Sequence, residues 1–376
     1  MKKLVACLAF ASHLGVPATF HEPHRNFVSD DQQIRKVLGC EQPSPGMDDR
    51  NGINADAGAG ADNFWDYQGV AFAKVNLTLQ IDPDAEVSEP LLRLSSLMHK
   101  VSWGDYISIK RLRSEEAAAA ASSFDATDDG DVLLVAGESH PSDAFQPHTR
   151  VPCDDSNIVA KALRKARKPG ERYVVLMRKR VPPGSGLGGG SADAGFVLRA
   201  LRTKISPSDT LALGSDVGFM ANDADVALVT GKGEDVAPID PLDYEGHIYI
   251  LVPDEHVSTA EVFKRARELL PTGSLTTPRL SYQDIAKSVA NFHSFRPFNV
   301  LERCVQNDGV KLLLETLRST VPSSRFCMSG SGGACYVLDA NDDDMVSVRE
   351  RYGRNLLIVK ARLKRPHDND ADFSYL

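Results

Sequence analysis

The six cysteines of this 376-residue sequence form no Cys-x-x-Cys pair, and its ten histidines form no His-x-x-x-His pair. Closely spaced pairs of this kind supply the ligands of most structural zinc sites, and regularly spaced cysteines staple small disulfide-rich domains. We therefore expect neither a zinc site nor a disulfide framework in this chain.

Clustered positive charge and long apolar runs are missing as well. The formal net charge is −8, whereas nucleic-acid-binding surfaces are usually basic. No apolar run approaches the roughly 20 residues of a membrane-spanning helix. We expect no nucleic-acid partner and no membrane partner, and an anionic ligand has to be held locally. A hydrophobic content of 42% is enough for the packed cores of two ordinary domains.

The N-terminus resembles a secretory signal peptide. Lys2 and Lys3 precede the apolar run LVACLAFA, and Val16-Pro17-Ala18 offers a small-residue cleavage site. The alternative is an ordinary hydrophobic start of a cytosolic protein. The sequence from Thr19 to Asn63 is rich in Gly, Pro, Asp and Asn, which predicts disorder. Residues 1–63 are thus assigned to a signal and a disordered linker.

Strands and helices are predicted from about Trp65 onward. Apolar residues alternate with polar ones over 71–81, which predicts a strand with a mostly polar second face. The remaining predicted strands are 105–112, 131–137, 172–181, 248–252 and 354–364, and SGSGGACYVLD is predicted to be a loop leading into a strand. The predicted helices are 156–166, one after the glycines, 258–270, 281–292, 300–319 and 345–352. The low-complexity insert 114–131 is expected to be a surface loop.

Strands and helices do not alternate strictly, and this favours two α+β domains over one doubly wound sheet. We place the first domain at 64–242, the second at 243–366 and a tail at 367–376. No internal repeat is visible in the sequence.

Five of the seven residues 184–190 are glycine, and we call this segment the glycine loop. It satisfies G-x-G-x-x-G, but a helix and then KISPSDTLA follow it where a dinucleotide-binding fold needs a strand and an acidic residue. No Gly-Lys-Ser/Thr closes it as in a P-loop. Glycines between a strand and a helix let backbone N–H groups approach a ligand, and the helix N-terminus attracts anions. A phosphate site is favoured over a flexible linker.

Two polar residues follow the glycine loop. Ser191 is predicted to be the N-cap of the next helix and Asp193 to lie in its first turn, where both residue types are common without a ligand. Beside a triphosphate, their oxygens could hold Mg²⁺.

Five further segments give the glycine loop its context. A-K-V-N-L at 73–77, P-x-G-S-G-L-G-G-G-S-A-D-A at 182–194 and M-S-G-S-G-G-A-C at 328–335 stand in the order of the three GHMP-kinase motifs. D-x-N-I-V at 155–159, G-S-D-V-x-F at 214–219 and G-x-G-E-x-V at 231–236 make the chain most similar to the 4-diphosphocytidyl-2-C-methyl-D-erythritol kinases of that superfamily. The resemblance covers about residues 65–365.

The resemblance implies a two-domain α+β GHMP kinase fold, with a ribosomal-protein-S5-like first domain, a ferredoxin-like second domain and the active site between them. It implies transfer of the ATP γ-phosphate to the 2-hydroxyl of a cytidylylated methylerythritol in the non-mevalonate isoprenoid route. ATP and Mg²⁺ are the implied cofactors, and the protein is expected to be a monomer or a homodimer.

The resemblance also assigns roles to residues. Lys74 and Asp216 match the catalytic pair, in which a carboxylate takes the proton of a weakly nucleophilic hydroxyl beside a cation. The implied nucleotide-binding residues are Asn157, Lys179, Pro183, Gly184, Ser185, Gly186, Leu187, Gly188, Gly189, Gly190 and Ser191. The implied substrate-binding residues are Asn76, Phe263, Ser329, Gly330, Ser331 and Gly332.

The sequence departs from the family at the nucleobase end. A Tyr-His pair that helps to recognise cytidine is replaced by Leu91 and Leu92, which offer no polar side-chain atom. Phe72 and Gly218 each replace a proline. Two alternatives therefore stay open: a GHMP kinase for a mevalonate-type, sugar or homoserine substrate, and a catalytically silent nucleotide-binding relative. A secretory-type signal on a metabolic kinase predicts a plastid such as an apicoplast, and otherwise the cytoplasm.

Overall fold

The structure, a computed structural model, describes residues 27–39, 64–82, 84–89, 91–137, 151–273, 275, 281–366 and 368–376. The two expected α+β domains are present, each built on one sheet. The expected signal peptide lies outside the described residues. Within the described ranges, no helix combines the length and the apolar character that crossing a membrane requires.

The first domain has a mixed sheet with helices on both faces. Its strands are β1 (Tyr67–Ile81), β2 (Leu94–Leu112), β3 (Val132–Gly137), β4 (Arg172–Lys179), β5 (Val226–Gly231) and β6 (Asp235–Pro238). Its helices are α1 (Phe27–Val37), α2 (Ser114–Ser123), α3 (Ile158–Ala166), α4 (Gly189–Ala200), α5 (Pro207–Leu213) and α6 (Val217–Ala221).

The long strand β2 organises this sheet. One of its edges pairs with β1 along the whole length, and its other edge pairs first with β5 and then with β4. The sequence predicted only its second half, from Asp105. The register between β1 and β2 shifts beside Gly104, where a Cβ atom would lie 2.2 Å from the carbonyl oxygen of Ala71. The close approach explains the glycine.

The second domain contains the strands β7 (His247–Pro253), β8 (Phe298–Asn299), β9 (Arg325–Met328), β10 (Cys335–Leu338), β11 (Leu356–Arg362) and β12 (Ser374–Tyr375). Its helices are α7 (Thr259–Leu269), α8 (Tyr282–Val289), α9 (Asp308–Thr320) and α10 (Asp342–Tyr352). The sheet order is β12-β11-β7-β10-β9, while β8 pairs with β1 of the first domain. The succession of β7, helices, β9, β10, α10 and β11 is the β-α-β-β-α-β order of a ferredoxin-like fold.

The predicted helix 300–319 is interrupted. Residues Val300–Cys304 form a 3₁₀ turn, and α9 starts only after Asn307, whose side chain accepts a hydrogen bond from the backbone N–H of Val310. An asparagine in this role is a standard N-cap. It divides what the periodicity presents as one helix.

The mostly polar second face of β1 is buried, like its apolar face. Ala73, Val75 and Leu77 pack in a core shared with the second domain, and Lys74 and Asn76 on the other side are at most 2% exposed. The polar residues of β1 therefore lie inside the protein, where each needs a partner.

The insert 114–131 is a helix at its start, so the expectation of a surface loop was wrong. Five consecutive alanines favour α2, and the Glu116 side chain accepts a hydrogen bond from the backbone N–H of Arg113 at its start. Ala120 is fully buried, in a cluster with apolar residues of β3 and β4. The insert covers one face of the first sheet.

Part of residues 19–63, which were predicted to be disordered, is also helical. This part is α1, which packs on the same face of the first sheet. Ile34 is fully buried in the same cluster. Asp31 accepts hydrogen bonds from Trp65 Nε1 at 2.8 Å and from Arg35 Nε at 2.7 Å. The prediction that 367–376 is a tail was also wrong. Strand β12 extends the second sheet, and the ring of Phe373 packs near that of Trp103.

The packing of α1 predicts that the folded protein needs residues 27–39. A chain beginning at residue 64 should lose about 1.5 to 3 kcal/mol of unfolding free energy relative to a chain beginning at residue 27. Removing α1 uncovers the buried Ile34 site, and burial of one such side chain is worth about 1.5 to 3 kcal/mol. Urea denaturation of both chains measures the difference. Equal midpoints would show that α1 adds nothing to stability.

Candidate functional site

A cavity of about 400 Å³ opens between the two domains. Its walls come from β1, the glycine loop, the start of α4, the residues before α6, the turn between β5 and β6, helix α7 and the loop 329–333. Most of the residues predicted from the sequence line it: Lys74, Asn76, Pro183, Gly184, Ser185, Gly186, Gly188, Gly189, Gly190, Ser191, Asp216, Phe263, Gly330 and Ser331.

The glycine loop has the backbone that its composition predicts. Gly184, Gly186 and Gly188 have φ angles of 74°, 86° and 71°, a region that other residues rarely adopt. Helix α4 starts at Gly189, with Gly188 as its N-cap. The first N–H groups of α4 therefore lie at the cavity wall, which is the arrangement that binds phosphate groups.

Ser191 is not the N-cap that the sequence predicted. It is the third residue of α4, because the left-handed Gly188 starts the helix three residues earlier. Asp193 consequently lies beyond the first turn and not in it. Ser191 still lines the cavity, whereas Asp193 does not.

Hydrogen bonds between the glycine loop and residues 329–334 connect the two domains. Ser185 O accepts a hydrogen bond from Ala334 N at 3.0 Å, and Gly186 O accepts one from Ser329 Oγ at 3.0 Å. A Cβ atom on Gly186 would lie 2.1 Å from Ser329 O. Ser329 is fully buried and Gly332 touches the backbone of the glycine loop, so both support the cavity from behind.

The ammonium group of Lys74 lies at the centre of the site. Lys74 Nζ donates hydrogen bonds to Asn76 Oδ1 at 2.6 Å and to Gly186 O at 2.9 Å. It lies 3.4 Å from Asp216 Oδ2. The Lys74 side chain is only 2% exposed, whereas that of Asp216 is 26% exposed and reaches the cavity.

The position of Asp216 rules out a plain capping role. It precedes α6, but its side chain makes no capping hydrogen bond to that helix. The carboxylate instead faces Lys74, in a wall of the cavity. A partly exposed carboxylate beside a buried cation can accept a proton from a bound hydroxyl.

Lys179 and Asp193 lie behind the glycine loop and not in the cavity wall. Lys179 Nζ contacts Asp193 Oδ2 at 2.5 Å and also the carboxylate of Asp105. Burial lowers the pKa of Lys179, but the two carboxylates outweigh it and the pKa is raised. Burial also raises the pKa of Asp193. The charges of Lys179 and Asp193 thus compensate each other inside the protein, together with that of Asp105. The sequence did not reveal this because Asp105 is distant in the chain.

Asn157 and Leu187 are likewise used within the fold. Asn157 Oδ1 accepts a hydrogen bond from Val159 N at 2.8 Å, and its Nδ2 donates to Pro152 O at 2.6 Å. The Leu187 side chain is buried in the core between the domains. Neither side chain lines the cavity, although both were predicted to bind nucleotide.

The cavity is also lined by Phe263 and by residues that the sequence did not indicate, namely Ser96, Lys232 and Thr259. Ser96 lies in the unpredicted half of β2, and Lys232 stands in the motif G-x-G-E-x-V as its variable residue. Leu92 is 3% exposed, in the core of the second domain, and Leu91 is 49% exposed. Neither leucine lines the cavity.

Comparisons with known proteins agree with this geometry. Residues 157–233 match the protein family 'GHMP kinases N terminal domain'. A 4-diphosphocytidyl-2-C-methyl-D-erythritol kinase of Methylacidiphilum infernorum is 30% identical over 300 residues, which cover 74% of this chain and 90% of that protein. The enzyme of that name from Desulfotalea psychrophila is 28% identical over 310 residues, covering 77% and 93%.

Solved structures support the fold. A crystal structure of 4-(cytidine 5'-diphospho)-2C-methyl-D-erythritol kinase is 23% identical, with a TM-score of 0.54, and the match covers 79% of this chain and 99% of that one. Mevalonate pyrophosphate decarboxylase from Streptococcus pyogenes is 13% identical, with a TM-score of 0.50 and coverages of 80% and 98%. At these identities the likeness speaks for the architecture alone.

Proposed function

Because the chain belongs to the 4-diphosphocytidyl-2-C-methyl-D-erythritol kinase family, we propose that it phosphorylates 4-(cytidine 5'-diphospho)-2-C-methyl-D-erythritol on its 2-hydroxyl, with ATP as donor. This is a step of the non-mevalonate route to isoprenoid precursors. The observation that carries the proposal is the buried Lys74 ammonium, which lies between the Asp216 carboxylate and the glycine loop.

Asp216 acts as the general base in this proposal. Its carboxylate takes the proton of the substrate hydroxyl as the new oxygen–phosphorus bond forms and the bond to ADP breaks. Lys74 Nζ, 3.4 Å away, offsets the negative charge near the reacting oxygen and orients the carboxylate. Asn76, which accepts a hydrogen bond from Lys74, supports the ammonium from the substrate side.

The glycine loop holds the phosphates of ATP through its backbone. The N–H groups of Gly189, Gly190 and Ser191 are the first three of α4 and have no acceptor in the preceding turn. They lie beside the cavity together with Gly184 and Ser185. Pro183 and Gly330 line the same cavity.

Mg²⁺ fits this site as a partner of the phosphates. Among the residues that the structure describes, no group of three or more His, Cys, Asp or Glu side chains could hold a metal. Mg²⁺ commonly binds through phosphate oxygens with only one or two protein ligands, and the hydroxyl of Ser191, a residue that lines the cavity, would be one of them. When bound, Mg²⁺ neutralises charge on the transferred phosphoryl group. Asp193, in contact with Lys179, is not placed to help.

The residues available to recognise a nucleobase leave room for a second candidate, a GHMP kinase for another small substrate. Phe263 lines the cavity and could stack on cytosine, and Ser331 offers a hydroxyl. Leu91 and Leu92, in contrast, offer no hydrogen bond to a base, and neither lines the cavity. A mevalonate-type or homoserine substrate, which has no base, would not need one.

Substrate choice separates these candidates. We expect the purified protein with ATP and Mg²⁺ to release ADP in the presence of the cytidylylated methylerythritol and not with mevalonate or homoserine. A coupled ADP assay measures this. Turnover of mevalonate alone would replace the first proposal with the second, and ADP release with none of the three would favour the silent nucleotide-binding alternative.

Asp216→Asn should lower kcat by roughly 10² to 10⁴, because the amide cannot accept the hydroxyl proton. The KM for ATP should stay within about twofold, since the substitution leaves the backbone N–H groups assigned to the phosphates unchanged. Asp235→Asn, at the exposed start of β6, is the matched control and should behave like the wild type. An active Asp216→Asn enzyme would remove Asp216 from the mechanism.

A plastid location, such as an apicoplast, accompanies the proposed pathway. It is supported by the signal-like residues 2–18 of the sequence. A fluorescent protein fused to the C-terminus should enter the plastid, and its N-terminus should be cleaved before Phe27, because cleavage further along would remove α1. Cytosolic fluorescence from an uncleaved chain would contradict this location.

A further inference from the structure

The catalytic carboxylate stands on an element with little stability of its own. Asp216 directly precedes α6, which has only five residues, and Gly218 is the second of them. An isolated helix of this length does not form in water, and a glycine inside a helix weakens it further. The position of Asp216 therefore depends on contacts that other elements make with α6.

Two cationic side chains bind the carbonyl end of α6. Arg199, from the last turn of α4, donates a hydrogen bond from Nη1 to Met220 O. Lys100, from the middle of β2, donates one from Nζ to Asn222 O at 2.7 Å. The last carbonyl groups of a helix have no partner within the helix, so each of these hydrogen bonds satisfies one of them. Burial lowers the pKa of Lys100 to about 7, and the amine donates this hydrogen bond in either protonation state.

Close backbone packing holds α6 in the same place. A Cβ atom on Gly195 of α4 would lie 2.6 Å from the carbonyl carbon of Met220, so the two helices touch along their backbones. At the other end, a Cβ atom on Gly233 would lie 2.0 Å from Ser215 O. Both ends of α6 are thus fixed, and its carbonyl end is held by side chains that substitution can change.

We propose that Lys100 and Arg199 are positioning residues that hold α6 and thereby keep the Asp216 carboxylate 3.4 Å from Lys74 Nζ. Neither side chain lines the cavity, so both act through α6 and not on the substrate. The catalytic part of this inference rests on the proposed kinase function.

The surroundings of Lys100 supply a matched control. The charged and titratable groups that act on it and on its neighbour His99 are Arg199, Asp223, Asp225 and Lys364. Lys364 is also largely buried, but its ammonium pairs with Asp225 Oδ1 at 2.8 Å. Removing the Lys364 ammonium takes a positive charge out of the same cluster and leaves both hydrogen bonds to α6 in place.

The test compares Lys100→Met with Lys364→Met, because methionine keeps most of the side-chain stem and removes only the ammonium. We expect Lys100→Met to lower kcat by about 10- to 100-fold, the effect of a misplacement near 1 Å. Its KM for ATP should stay within about twofold of the wild type. Lys364→Met should keep the wild-type kcat. Circular dichroism, recorded at the assay temperature, ensures that both variants are folded.

Hydrogen–deuterium exchange tests the positioning without any substrate. The peptide covering 214–224 should exchange faster in Lys100→Met than in Lys364→Met, while the peptides of β4 and α4 stay protected. Equal exchange of this peptide in both variants would overturn the proposal whatever the assay shows. If wild-type enzyme turns over and Lys100→Met keeps its kcat, the proposal also fails. An inactive wild-type enzyme would instead count against the proposed function, and the exchange result would still decide the positioning.

Discussion

The buried ammonium of Lys74 is the interaction on which the site depends. A cation that is 2% exposed needs compensating oxygen atoms, because losing its hydration costs several kcal/mol. Its partners come from three separate elements: Asn76 on β1, Gly186 in the glycine loop and Asp216 before α6. The charge is compensated only when all three elements are in place, so folding and assembly of the site are one requirement.

The same requirement explains why two loops of different domains fit so closely. Gly186 O accepts hydrogen bonds from both Lys74 and Ser329, so one carbonyl group of the first domain serves the site and the domain contact together. A side chain on Gly186 would collide with the second domain. The glycines thus admit the second domain on one side and, in the proposed function, the phosphates of ATP on the other.

The sequence predicted this centre well, because the residues that form it stand in short motifs with strong local signals. The α+β class, the glycine loop, and the roles proposed for Lys74 and Asp216 followed from such motifs. The packing of α1 and α2 on one sheet face could not follow, since it depends on contacts distant in the chain. The resemblance assigned Lys179 to the nucleotide, and the position of Asp193 after the glycine loop assigned it to Mg²⁺. Their contact with each other, and that of Lys179 with Asp105, depends on residues distant in the chain and could not be predicted.

The proposed phosphate site and the groups that would recognise the substrate differ in how far amino-acid substitution can change them. The proposed phosphate end is built largely from backbone N–H groups, which every residue except proline provides, and its geometry depends on glycines and on the fold. Side chains contribute to the recognition of a small-molecule substrate, and their replacement leaves the backbone intact. Leu92 packs in the core of the second domain and leaves the Lys74 contacts undisturbed. The side chains that recognise a substrate can therefore diverge while the Lys74 contacts stay unchanged, and under the proposed function we expect substitutions at Phe263 and Lys232 of the cavity wall to change substrate choice.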